Sequence, residues 1–306
     1  MTKRWTTKNI PDLTGKVIIV TGGNSGLGYE SVKAFARKGA DVILASRSPE
    51  KGNEARDKIG QVKGNIEVMQ LDLTDFDSVR RFSEDFKKKY RQLDVLLNNS
   101  GIMTTPYFQT KEGLEGQTGT NHFGHFALTG QLLEVIKATP GSRVVNVSSL
   151  AHIVGTMDFT NLLFEEGKNY SPMKAYSRSK LMNLLFTYEL QRLFEKNTID
   201  SISVAAHPGV SQTNLFRHLN DKMSFKMLKP GWGLISQKKE MGALPQIRAS
   251  VDQNIKGGEF YGPHMGLRGY PVKVKSVRTS HNREYAKKLW KISEDITGVK
   301  IDLQKS

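Results

Sequence analysis

Tyr176 and Lys180 stand four residues apart in Tyr176-Ser177-Arg178-Ser179-Lys180, and the apolar residues that follow, Leu181, Leu184, Leu185, Tyr188 and Leu190, keep a helical period. On a helix this spacing puts the phenol and the ammonium on one face, about one turn apart. An ammonium within a few ångströms favours phenolate, so the phenol pKa, ordinarily about 10, is expected to fall toward working pH. A phenol tuned that way passes a proton to or from a carbonyl or alcohol oxygen. Spacing alone does not establish this, because the same pair occurs on helices where the Tyr merely packs and the Lys is solvated.

A second chemical feature lies near the N-terminus. The β-branched run Lys16-Val17-Ile18-Ile19-Val20-Thr21 reads as a buried parallel strand and feeds into Gly22-Gly23-Asn24-Ser25-Gly26-Leu27-Gly28, which opens a helix. In that context a glycine turn acquires meaning. Gly22 permits the tight turn, Gly26 leaves room for a pyrophosphate, and Gly28 lets the helix pack close. The turn, with Gly22, Asn24, Ser25, Gly26, Leu27 and Gly28, is the candidate cofactor-binding loop. Its spacing is one residue longer than the G-x-G-x-x-G fingerprint, and a ligand-free turn is the alternative. At the end of the second strand, where an acid would accept hydrogen bonds from a free ribose 2′-hydroxyl, stand Ser46 and Arg47. A hydroxyl beside a guanidinium suits a 2′-phosphate, which predicts NADP(H) over NAD(H). The plain alternative is a surface Arg.

The elements that must position these residues alternate. Helical and strand patterns follow one another: helix to Arg37, strand Asp41–Ala45, helix Glu50–Ile59, strand Ile66–Gln70, helix Ser78–Tyr90, strand Leu93–Leu97, helix His122–Ile136, strand Arg143–Val147, the Tyr176 helix, and strand Ser201–Ala206. This rhythm predicts an α/β fold, a Rossmann-type doubly wound parallel sheet with helices on both faces. Residues 150–173 read as an inserted structured loop, and 211–245, with Met223, Phe225, Met227, Leu228 and Trp232, as a partly helical substrate lid. A last short strand is expected near 259–261 and an amphipathic helix over 281–296. One domain over 1–306 is expected, with a core at 14–262 and a C-terminal extension at 263–306.

Composition narrows the function classes. With no cysteine, disulfides, thiolate metal sites and thiol mechanisms are excluded, and a reducing, cytoplasmic setting is expected. No apolar run reaches bilayer length and no signal peptide is read, so no membrane anchor is expected. The net charge of +15 raises nucleic-acid binding, but the cations are scattered and the run Lys87-Lys88-Lys89 ends a helix, so a solvated face is the reading and no nucleic-acid partner is expected.

The glycine turn, Asn98-Asn99-Ser100-Gly101 after the fourth strand, Asn121, Ser149 and Tyr176-x-x-x-Lys180, in that order, resemble the short-chain dehydrogenase/reductase family over about residues 14–262. Val145-Asn146-Val147-Ser148-Ser149-Leu150-Ala151-His152 and Ala175-Tyr176-x-x-Ser179-Lys180-Leu181-x-Asn183 are most similar to its retinol dehydrogenase and WW-domain oxidoreductase branch. The resemblance implies that Tyr176 is the general acid/base, that Lys180 lowers its pKa and binds the nicotinamide ribose, and that Ser149, not Ser148, orients the substrate oxygen. Asn121 would kink its helix and hold a water that links Lys180 to solvent. Asp72 and Leu73 would meet the adenine, and Asn99 and Gly101 the adenosine ribose. Pro208, Gly209, Val210 and Thr213 would follow, with the Val210 amide and Thr213 hydroxyl at the carboxamide and pyrophosphate.

Taken singly, Asn121 as a core amide, Asp72 as a helix N-cap and Ser149 as a turn residue are alternatives. His122, His125 and His152 read as packing or lid residues, and no metal is expected. The implied activity is hydride transfer between NADP(H) and a small-molecule carbonyl or alcohol substrate, which the lid residues suggest is apolar, aromatic or long-chain; the alternative is a non-catalytic NADPH-binding redox sensor. Family members pair through the helices that include the Asn121 and Tyr176 segments, so a homodimer or homotetramer is one expectation. The aromatic tail covering that surface is the other.

Overall fold

The computed structural model describes residues 4–211 and 237–303. Among them, β1 (Val17–Thr21), β2 (Asp41–Ser46), β3 (Asn65–Gln70), β4 (Val95–Asn98), β5 (Ser142–Val147), β6 (Ser201–Ala206), β7 (Phe260–Pro263) and β8 (Pro271–Lys273) form one sheet. Its order is β3-β2-β1-β4-β5-β6-β7-β8. Every pairing is parallel except β7 with β8. The strand order reverses between β1 and β4, which opens a crevice at their carboxyl ends.

β1 shows why these runs become central strands. Ile18 and Val20 pack into one core with Val32 and Phe35, whereas Val17 and Ile19 pack into the opposite core with Phe82 and Phe126. A strand buried on both faces needs apolar residues at both phases of its two-residue period. Helices α1 (Gly26–Arg37) and α2 (Pro49–Ile59) cover the first face. Helices α3 (Phe76–Lys89), α5 (Gly124–Gln131) and α7 (Pro172–Lys196) cover the second; short helices α4 (Gly116–Thr118) and α6 (Leu133–Ala138) flank α5.

The helix read over His122–Ile136 is interrupted. A π turn over Gly119–Phe123 precedes α5, and Leu132 separates α5 from α6. Close packing accounts for the glycines there: a Cβ on Gly124 would stand 2.5 Å from the Leu73 carbonyl oxygen, and one on Gly119 2.5 Å from Thr110 Cγ2.

The lid read over 211–245 lies mostly outside the described residues, and its last part is a correction. Helix α8 (Lys239–Val251) buries Ala243, Leu244 and Ile247 in the first core, so 239–245 is scaffold. Strand β8 had no reading in the sequence, since three residues carry too little period to register. Helix α9 (Arg283–Thr297) fits the amphipathic tail: Ala286 and Leu289 join Phe123, Leu181 and Leu185, and Trp290 meets Phe126 and Phe186. Lys87–Lys89 end α3; Lys88 pairs with Asp85 and Lys89 with Glu67, as a solvated face would.

Candidate active site

Helix α7 is buried from Ala175 to Leu190 and brings Tyr176 and Lys180 to the carboxyl end of β5. The Tyr176 hydroxyl and the Ser149 side chain line the same cleft, close enough for Ser149 to act on the phenol. Ser149 closes the loop after β5 and also accepts from the Ala151 amide at 3.2 Å. Ser148 turns the other way, its hydroxyl donating to the Lys180 carbonyl at 2.8 Å. Behind Ser149, His152 Nδ1 meets the Ser149 carbonyl at 2.6 Å, and the Val277 amide donates to its Nε2 at 3.3 Å. That pattern fixes a neutral ring protonated at Nδ1, and burial holds its pKa down.

The electrostatics differ from the sequence expectation. Burial pushes the Tyr176 phenol up to about 12, with the nearby Ser149 hydroxyl pulling the other way. Burial also brings the Lys180 ammonium down to about 8. The lysine does not soften the phenol here: its Nζ stands 5.7 Å from the Tyr176 ring centre and donates to the Val147 carbonyl at 3.1 Å. Desolvation dominates at both groups. The Tyr therefore holds its proton through the neutral range.

Asn121 sits in the π turn. Its Oδ1 accepts from the Ile102 amide at 2.9 Å, and its Nδ2 donates to the Ile102 carbonyl at 3.0 Å and to Ser179 Oγ at 2.9 Å. The side chain thus ties the loop after β4 to α7. Gly101 lines the gap between: a Cβ there would lie 3.2 Å from Asn121 Oδ1 and 3.3 Å from Lys180 Nζ. A side chain there would push Asn121 or Lys180 back by a few tenths of an ångström.

Two chambers follow the crevice and share Gly22, Asn24, Ser100 and Ile102 in their walls. One, of about 310 Å³, reaches Ser149, Tyr176, Lys180, Pro208 and Gly209. The other, of about 260 Å³, reaches Ser46, Arg47, Lys51, Asp72 and Leu73. The turn between β1 and α1 divides them. Gly22 and Gly26 have φ of +65° and +58°, which side chains rarely adopt. A Cβ on Gly28 would stand 2.3 Å from the Gly22 carbonyl oxygen. Ser25 N-caps α1 without a side-chain capping bond, and Ser25 with the first turn of α1, Gly26 to Gly28, lines the first chamber. These features fit a dinucleotide pyrophosphate. Arg47 and Lys51 are exposed at the far chamber, and neither has a carboxylate partner among the described residues.

Other expectations fare differently. Val210 is corrected: its amide donates to the Leu267 carbonyl at 2.8 Å, because Gly209 brings the chain against the turn after β7, and it is not free for a carboxamide. Thr213 lies outside the described residues. Asn99 walls the first chamber; one Nδ2 proton goes to the Thr21 carbonyl and its Oδ1 accepts from Gln246, so the scaffold fixes its amide and leaves one N–H and one lone pair. Ser46 donates to the Ser48 carbonyl, which leaves its oxygen as an acceptor. Asp72 accepts from the Thr74 amide and hydroxyl; the N-cap of α3 is Asp75. Sequence reasoning missed Lys51 and Gln246. Lys51, three residues after the Ser48 cap of α2, was legible as a cation at the chamber mouth. Gln246 carried no signal, since its partners Ser31 and Asn99 lie far away in sequence. No metal-ligand cluster occurs among the described residues.

The short chain dehydrogenase family model matches residues 16–163. Human retinol dehydrogenase 11 is 38% identical over 298 residues, covering 95% of this chain and 88% of that protein. Human polyprenol dehydrogenase is 35% identical over 297 residues, covering 94% and 87%. A crystal structure of an uncharacterised Mycobacterium paratuberculosis protein, 38% identical, superposes with a TM-score of 0.83 over 98% of this chain and 100% of that one. Likeness of this extent, together with Ser149, Tyr176 and Lys180 on one cleft wall and the glycine cradle, leaves one conclusion: the chain belongs to the short-chain dehydrogenase family, in its retinol dehydrogenase-like branch, and is an oxidoreductase fold built for a nicotinamide dinucleotide.

Proposed function

We propose that the protein is an NADP(H)-dependent oxidoreductase that interconverts an apolar aldehyde or ketone and its alcohol. The observation that carries this reading is the convergence of Ser149, Tyr176 and Lys180 on the wall of one cleft. When bound, the dinucleotide supplies the hydride. In reduction, Tyr176 gives its proton to the substrate oxygen while the Ser149 hydroxyl holds that oxygen in place. Lys180 has one protein acceptor, Val147, which leaves N–H groups to bind ribose hydroxyls. Asn121 holds the Ile102 loop against α7 and so keeps the floor of the cleft in register. Arg47 and Lys51 supply the two cations suited to a ribose 2′-phosphate.

The apolar substrate class draws on two supports. Ile153 and Met173 are exposed four residues after Ser149 and three before Tyr176, and Leu267 is exposed on the turn against Gly209. Two relatives carry the names of long apolar alcohols, retinol and polyprenol. A panel of short polar, aromatic and long-chain aldehydes and ketones, read by NADPH and by NADH consumption, tests the proposal. The expected result is turnover of apolar carbonyls with NADPH strongly preferred. Equal use of NADH overturns the 2′-phosphate reading. NADPH binding without turnover of any substrate favours the sensor.

A further inference from the structure

Thr21 ends β1, and its hydroxyl is a junction between distant segments. The oxygen accepts the backbone amides of Asn99 and Ser100, each at 2.9 Å, which uses both lone pairs. Its single proton then faces two acceptors, the Leu97 carbonyl at 3.4 Å and His125 Nε2 at 2.9 Å. The closer nitrogen takes it. A neutral imidazole that accepts at Nε2 carries its own proton at Nδ1, and Nδ1 lies 3.1 Å from the Asn121 carbonyl. The ring is fully buried and burial keeps it neutral, down to about 4.

This ring joins two clamps on one loop. Thr21 holds the loop after β4 at Asn99 and Ser100; the Asn121 side chain holds it at Ile102. The loop walls both chambers. Through Asn121 the same ring reaches Ser179, the residue before Lys180.

We propose that His125, as its Nδ1–H tautomer, is a positioning residue with two separable ends: the Nε2 end sets the dinucleotide floor through Thr21, and the Nδ1 end sets the Tyr176–Lys180 helix through Asn121. This rests on the function proposed above and deepens it. It touches neither substrate nor cofactor, so its effect is read as a split between binding and turnover.

Three variants separate the ends. His125→Asn places an amide N–H where Nδ1 was and drops the link to Thr21. His125→Gln places an acceptor where Nε2 was and drops the link to Asn121. His125→Phe keeps the bulk and drops both. Each lost bond is worth roughly 1 kcal/mol, so a shift of about five- to tenfold is expected. His125→Asn should raise the NADPH Kd, measured by calorimetry, with kcat at saturation within about twofold. His125→Gln should lower kcat by the larger factor with Kd little changed, and His125→Phe should do both. Urea unfolding of each variant records its stability separately. The ¹⁵N spectrum of histidine-labelled wild-type protein, with the His125 signals assigned by their loss in His125→Asn or, if that chain fails to fold, His125→Gln, should show a protonated Nδ1 and an unprotonated Nε2. Proportional loss of affinity and turnover in all variants, wild-type behaviour of His125→Phe, or a protonated Nε2 overturns the inference. Wild-type protein that binds no dinucleotide overturns the function it rests on, and the inference with it.

Discussion

At the scale of single residues, the buried phenol is the centre of the chemistry. Tyr176 at about 12 is a poor base and a well-stocked acid at neutral pH, which suits donation to a carbonyl. Replacing Tyr176 with Phe should cost about 10²- to 10⁴-fold in kcat and leave NADPH affinity within about twofold, measured by steady-state kinetics and calorimetry. A variant that turns over normally would remove Tyr176 from the mechanism. The same burial has a thermodynamic consequence. The folded pKa lies above the unfolded value near 10, so the group's contribution is complete below pH 10 and is lost as pH rises toward 12. An ultraviolet difference titration of cofactor-free protein against Tyr176→Phe should show the tyrosinate step near pH 12; a step near neutrality would contradict it. Lys180 runs in the opposite sense. Its folded value of about 8 lies below the unfolded 10.5, so stability from this group rises as pH climbs between the two.

At the scale of elements, the turn between β1 and α1 and the π turn before α5 each depend on a close approach that a Cβ would block. Gly28→Ala drives a methyl into the Gly22 carbonyl, and the strand-to-helix junction must open. An overpacking cost of about 1–3 kcal/mol at that junction should weaken NADPH binding about tenfold or more. Unchanged affinity in a folded variant would mean that the turn does not hold the pyrophosphate. Helix α9 acts on the second turn through His122, whose Nε2 contacts Ser293 Oγ at 2.9 Å. Trp290→Ala removes contacts to Phe126 and Phe186 and should cost about 2–4 kcal/mol in urea unfolding, since the indole is only part-buried.

At the scale of the whole molecule, neutral buried histidines set the acid limit. Burial brings His122 to about 3 and His125 and His207 to about 4. The unfolded chain protonates them near 6.5, so it binds more protons than the folded one between 6.5 and 4, and stability falls as pH drops through that window. Unfolding free energy should fall by a few kcal/mol from pH 7 to pH 5, by urea titration; a flat profile would show that the rings are not held neutral. Helix α9 also packs on α5 and α7, the helices that the resemblance leads one to expect at a pairing face. Association through that face requires α9 to move, so sedimentation should report a monomer, and a stable dimer with Trp290 still packed on Phe126 and Phe186 would place any interface elsewhere.

The alternation of strands and helices, the glycine turn and the Tyr176–Lys180 spacing were legible in the sequence because each follows from local geometry: a two-residue or 3.6-residue period, or a backbone angle only glycine tolerates. Residues brought together from far apart were not legible. Thr21 meets His125, Val210 gives its amide to Leu267, and Gln246 reaches Asn99, none of them at a spacing that any period encodes. Proton affinity belongs to the same class. Four residues along α7 put Lys180 beside Tyr176, but only packing decided how little water reached either, and burial reversed the expected direction for the phenol.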